Sequence, residues 1–255
     1  MRWRSAFDPR PLTGLLIALC IVAPKAHADC QPPGSAFSVL LFTRTAGYRH
    51  ESIEAGIAAI RTLGEMHGFR VEATESSDQF HDATLARHQA VVFLNTSGDV
   101  LNAQQEAALQ RFIRRGCGFA GIHSASDTEY DWPWYGRLVG AYFKGHPRIQ
   151  DAALIVAATE HPSTRPLPQR WTRRDEWYNF REDPAPHVTT ILRIDEASYQ
   201  GGTMSTHHPM AWYQHFDGGR AWYTALGHTV ESYAEPLFLA HVLGGIRWAA
   251  GRADE

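Results

Sequence analysis

His123 closes the apolar run Gly118-Phe119-Ala120-Gly121-Ile122 and is followed at once by Ser124. An imidazole titrates near neutrality, so a histidine displayed at the end of a buried strand is suited to general acid–base work. Other polar residues fall at comparable places. His50 follows the first apolar run through Gly47-Tyr48-Arg49, and Asp99 lies in the polar loop after the third. His146 follows Phe143-Lys144-Gly145, and His208 and His228 flank two later strand-like runs. Glu176 sits in Asp175-Glu176-Trp177-Tyr178. It either pairs with Arg173 or Arg174 or, between two aromatic residues, belongs to a sugar site. Trp212 heads another aromatic stretch, Trp212-Tyr213-Gln214-His215.

These residues define an expected site. His123, Glu176 and His50 are its catalytic candidates. Asp99, Ser124, His146, Tyr178, His208, Trp212 and His228 are its substrate-binding candidates. Several chemistries are absent from the sequence. There is no Gly-x-Ser-x-Gly and no cysteine at the elbow to act as an acyl-transfer nucleophile. No glycine-rich phosphate or dinucleotide loop follows a strand. Lys144 is the only lysine after residue 28, so a Schiff base would depend on it alone. No motif specifies a cofactor, although imidazoles and carboxylates leave room for a divalent metal, with ligands not identified by spacing.

The elements that must position these groups follow from periodicity. Residues 37–42, 69–73, 90–94 and 118–122 read as strands, the central ones almost continuously apolar, as in a parallel sheet covered on both faces. Ile53, Ile57, Ile60 and Leu63 mark one helix, and residues 104–115 another. The alternation predicts a doubly wound α/β sheet, which displays His50, Asp99 and His123 at one carboxyl edge. Further on, residues 134–143 read as helix, 152–157 as strand and 161–174 as loop. Residues 188–194, 210–216 and 221–225 read as strands, with a turn at Asp217-Gly218-Gly219, and 236–250 as a closing helix.

The N-terminus has its own logic. Arg2, Arg4 and Arg10 precede an apolar run from Leu12 to Ala23 and the small-x-small triplet Ala26-His27-Ala28. This pattern predicts a secretory signal peptide over residues 1–28, an uncleaved anchor being the weaker option, then an extended leader over 29–36. Cleavage removes four basic residues and one acidic one, leaving 20 basic against 26 acidic and a net charge of −6. That balance argues against a nucleic-acid partner, and no segment is suited to hold a membrane surface. The expected setting is the periplasm or the exterior, with a homo-oligomer left open. Cys30 and Cys117 remain after cleavage and either pair there or stay as free thiols.

Across residues 37–251 the chain resembles the trehalose-utilisation (ThuA-like) family. The resemblance rests on Gly47-Tyr48-Arg49-His50, Gly118 to Ser124, Phe143-Lys144-Gly145-His146-Pro147 and Asp175-Glu176-Trp177-Tyr178. His208-Pro209, Gly218-Gly219-Arg220, Tyr223 to His228 and Leu243-Gly244-Gly245-Ile246 extend it in the same order. It implies a flavodoxin-like, three-layer α/β/α fold of the class I glutamine amidotransferase-like type. In those amidotransferases the elbow carries a cysteine; His123 stands there instead, which puts glutaminase chemistry out of reach. The implied substrate is a small-molecule carbohydrate: a sugar, a disaccharide or a keto-sugar derivative. Two alternatives stand beside an acid–base enzyme, a non-catalytic sugar-binding module and a metal-dependent hydrolase.

Overall fold

The computed structural model describes Met1, Cys30 and residues 36–253. The expected signal peptide and nearly all of the leader therefore lie outside the described residues. In chain order the elements are β1 (Ser38–Phe42), α1 (Ile53–His67), β2 (Arg70–Thr74), α2 (Asp82–Leu85), β3 (Ala90–Leu94), α3 (Ala103–Arg114), β4 (Gly118–Ile122) and α4 (Pro133–Val139). There follow β5 (Phe143–Gly145), β6 (Gln150–Val156), β7 (Arg170–Asp175), β8 (Asn179–Phe180), β9 (Thr189–Ile194), β10 (Pro209–Phe216), β11 (Gly219–Thr224) and α5 (Pro236–Ala249).

Nine strands form one twisted sheet in the order β2-β1-β3-β4-β11-β10-β9-β6-β7. The first five in that order run parallel to one another. The remaining four extend the sheet antiparallel. Strands β1, β3 and β4 are buried at every position, which explains why, Ser38 apart, they are apolar throughout. Helices flank the sheet, with α5 packed over β11, β4 and β3. Gly118 permits that approach, because a Cβ there would collide with the carbonyl of Ala249 on α5. The fold is thus the doubly wound α/β class expected, in mixed form. Among the described residues no helix is long and apolar enough to cross a membrane.

Local chemistry sets the element ends. Asn102 caps α3 by accepting from the amides of Gln104 and Gln105, while the Gln105 side chain returns to the Asn102 amide. The helix expected over 134–143 stops early. Gly140 takes φ +100° against the Trp212 indole, and β5 begins three residues later. The loop expected over 161–174 also ends early, because β7 starts at Arg170. Its alternation was masked by charge: Trp171, Arg173 and Asp175 face inward, and the last two neutralise each other at 2.7 Å. Cys30 and Cys117 are joined by a disulfide, which ties the segment before β1 to the start of β4.

Candidate functional site

The carboxyl ends of the parallel strands meet in an open cavity of about 420 Å³. His123 occupies the tip of β4 with φ +52°, a left-handed conformation uncommon for any residue but glycine. Such strain costs about 1–3 kcal/mol and persists only where neighbours hold it. Here the Tyr223 hydroxyl donates to the His123 carbonyl at 2.8 Å, and the His123 ring Nδ1 donates to the Ala225 carbonyl at 2.7 Å. That bond directs Nε2 toward Glu176 Oε2 at 3.4 Å and His228 Nδ1 at 3.1 Å.

Glu176 is the hub. Its Oε2 lies 3.1 Å from His228 Nδ1, and its Oε1 lies 3.0 Å from His146 Nδ1. Burial pushes its carboxyl up, but the adjoining His123 and His228 imidazoles outweigh burial and hold it below the usual carboxylate range. His50 stands edge-on to both His123 and His228, with ring centroids 4.9 and 5.0 Å away. Burial, with help from the two neighbouring imidazoles, lowers its pKa to about 2, so its ring is neutral. Ser124 is fully buried and sets its Oγ 3.4 Å from His50 Nδ1. His50, His123, His228 and Glu176 each offer one donor atom, and these atoms lie within 4.8 Å of one another. The set has the composition of a metal site.

The structure distributes the expected residues unevenly. His50, His146, Glu176, Tyr178 and His228 line the cavity. His123 has no exposed surface and supports the cavity from behind its wall. His208 is also wholly buried. Its Nε2 donates to the Tyr178 carbonyl at 2.7 Å and its Nδ1 faces Glu196 at 2.8 Å, so it braces the backbone beside Glu176. Trp212 is sealed in the core, where its indole donates to the Val139 carbonyl. Asp99 does not join the cluster either. It is exposed and lies beside Glu129, whose carboxyl burial raises to about 7 against the lowering effect of the Val100 and Leu101 amides. Asn95, nearer the end of β3, is the polar residue of that loop that reaches the site instead. Its Nδ2 reaches Ser52 Oγ at 2.9 Å and the Gly227 carbonyl at 3.4 Å, joining the loops that carry His50 and His228.

Other contributors have no place in the sequence-derived set. Tyr48, 62% exposed, and Phe143 line the cavity mouth with Asp127, whose pKa is raised by burial. Asp127 lies one 3-10 turn beyond His123, and that spacing is its only sequence signal. Asp175 acts from behind. Its carboxylate accepts from the amides of Gly227 and His228 at 2.9 and 3.1 Å and from its neighbour's, Glu176, at 3.0 Å.

Comparisons with known proteins agree with this architecture. A family model described as ThuA, trehalose utilisation, matches residues 38–249. The crystal structure of a ThuA-like protein from Bacteroides uniformis superposes with a TM-score of 0.71 at 21% identity, covering 89% of this chain and 94% of that one. A ThuA-like protein from Parabacteroides merdae gives 0.73 at 18% identity, covering 87% and 92%. No curated protein matches the sequence at a significant level.

Proposed function

Because the chain belongs to the ThuA, trehalose utilisation, family, we propose that it is an exported enzyme that transfers protons on a sugar, disaccharide or keto-sugar bound in this cavity. One observation carries the reading: the Glu176–His146 pair at the cavity wall. His146 Nδ1 faces two acceptors, Glu176 Oε1 at 3.0 Å and the Pro147 carbonyl at 2.9 Å. Its proton therefore resides on Nδ1 in the neutral ring, and Nε2 is left to take or give a proton. A carboxylate behind an imidazole fixes the tautomer and stabilises the imidazolium that forms. The His146 side chain is 40% exposed, so a substrate reaches it.

This arrangement suits abstraction of a proton beside a sugar carbonyl, or protonation of a glycosidic oxygen. The general acid–base role passes from His123, which is out of substrate reach, to His146 and Glu176. His123 becomes a positioning residue for the Glu176 carboxylate. Tyr48, at the cavity mouth, offers a ring face for a pyranose. A covalent nucleophile is not favoured, since Ser124 is buried and Cys117 is held in the disulfide at the opposite end of β4. The same disulfide is suited to an oxidising compartment, which supports export to the periplasm or beyond.

Incubation with trehalose and with its 3-keto derivative, followed by product analysis, tests the reading. A new product from either sugar, lost in His146→Gln, is expected. Tight binding with no product from any sugar would instead make the protein a non-catalytic sugar-binding module.

A further inference from the structure

The inner wall of the cavity holds a feature that proton transfer leaves unused. His123 Nδ1 is committed to the Ala225 carbonyl, an acceptor only, so the neutral ring turns the Nε2 lone pair inward. That nitrogen, His228 Nδ1 and Glu176 Oε2 form a triangle with edges of 3.1, 3.1 and 3.4 Å. Around a tetrahedral ion with bonds of about 2.0–2.1 Å, donor atoms stand roughly 3.3–3.4 Å apart. The triangle nearly has those dimensions already, and His50 supplies a fourth donor within 4.8 Å of the others.

Outer contacts give a second, independent argument. Histidine and carboxylate ligands are commonly oriented by a partner on their other heteroatom. Ala225 holds His123 Nδ1, Ser124 Oγ lies 3.4 Å from His50 Nδ1, and His146 holds Glu176 Oε1. In each case the opposite atom is left for the centre. We infer that His50, His123, His228 and Glu176 form a binding site for one divalent transition-metal ion of the zinc class. Three imidazoles and a carboxylate suit zinc or cobalt rather than magnesium or calcium, which prefer all-oxygen sets. An ion held by these four would border the cavity, where a sugar hydroxyl or carbonyl would add as a fifth ligand and be polarised by it. That consequence rests on the reading of the cavity as an active site; the ion site does not.

The test uses full-length protein stripped with a chelator and dialysed against Zn²⁺ or Co²⁺. Bound ion is counted by mass spectrometry, and Co²⁺ is also read by its visible absorption. About one ion per chain is expected. Glu176→Gln and His228→Gln, both near-isosteric and checked for folding by circular dichroism, should weaken binding at least ~10-fold, a scale that outer contacts alone already reach. His187→Ala, an exposed histidine elsewhere, should not. Absence of stoichiometric binding by either metal, or binding unchanged in both ligand variants, overturns the site. Sugar turnover is measured separately: an ion bound without turnover supports the site while removing the sugar reading, and turnover with no bound ion overturns the site.

Discussion

His123 Nδ1 lies 2.7 Å from the carbonyl oxygen of Ala225, and that bond decides what the other side of the ring does. It ties β4 to the loop beyond β11 and aims Nε2 at Glu176. An asparagine here can keep the donor to Ala225 and tolerates positive φ. His123→Asn should therefore fold with a near-native melting temperature yet lose turnover by ~10²-fold, the scale of a misplaced catalytic group. His123→Ala should lose stability as well, because it empties a buried site. Equal activity in wild type and His123→Asn would show that Nε2 has no role.

His146 is the one imidazole of the group with substantial exposure, and its replacement should separate chemistry from folding. His146→Gln is expected to lower kcat by ~10²–10⁴-fold with thermal stability unchanged. Steady-state kinetics beside a melting curve decides the point.

Asp175 presents a different balance. Its carboxylate accepts three backbone amides and pairs with the buried guanidinium of Arg173 at 2.7 Å. Asp175→Asn leaves Arg173 with Glu235 as its one charged partner among the described residues and should cost about 3–5 kcal/mol by denaturant titration. The loop holding His228 would shift with it, so activity should fall even where the variant is folded.

The disulfide joins residues 87 apart in the sequence. Closing a loop of that size restricts the unfolded chain, and its loss should cost about 2–4 kcal/mol. Because it lies at the opposite end of β4 from His123, a Cys30→Ser/Cys117→Ser protein should retain activity below its lowered melting point. Identical melting curves with and without reductant would contradict this.

Acid should weaken the fold through two histidines that do not line the cavity. Burial, with a smaller effect from Arg165, lowers the pKa of His161 to about 4; burial lowers that of His241 to about 3, against a raising hydrogen bond to Ser163. Both folded values lie below the ordinary 6.5, so the unfolded chain takes up the extra protons as pH falls. Their stabilisation is complete above pH 6.5 and declines below it by up to about 1.4 kcal/mol per pH unit for each ring. The decline ends once the folded rings protonate near pH 4 and 3. Denaturation midpoints measured from pH 7.5 to 4.5 should fall accordingly; a flat profile would show that the rings are not held neutral.

Much of this architecture was legible in the linear order of residues. The buried strands announce themselves because both faces of a parallel strand are covered, so β1 after Ser38, β3 and β4 carry no polar residue. β7 was illegible for the opposite reason: its inward Arg173 and Asp175 read as surface charges until the sheet pairs them. Asp99 and Asn95 lie in the same short loop, and only the loop's path exposes one and buries the other.

The sequence by itself determined the α/β class, the family and the placing of His123 at a strand end, since periodicity and local motifs are properties of neighbours along the chain. Which side chains share one cavity was decided by the tertiary structure. His50, Glu176 and His228 arrive on separate segments, and their mutual distances depend on sheet order and loop path. The same long-range packing buried His123, withdrawing it from substrate while setting its Nε2 beside Glu176. A side chain's type is written in the sequence; its exposure and its partners are set by everything packed around it.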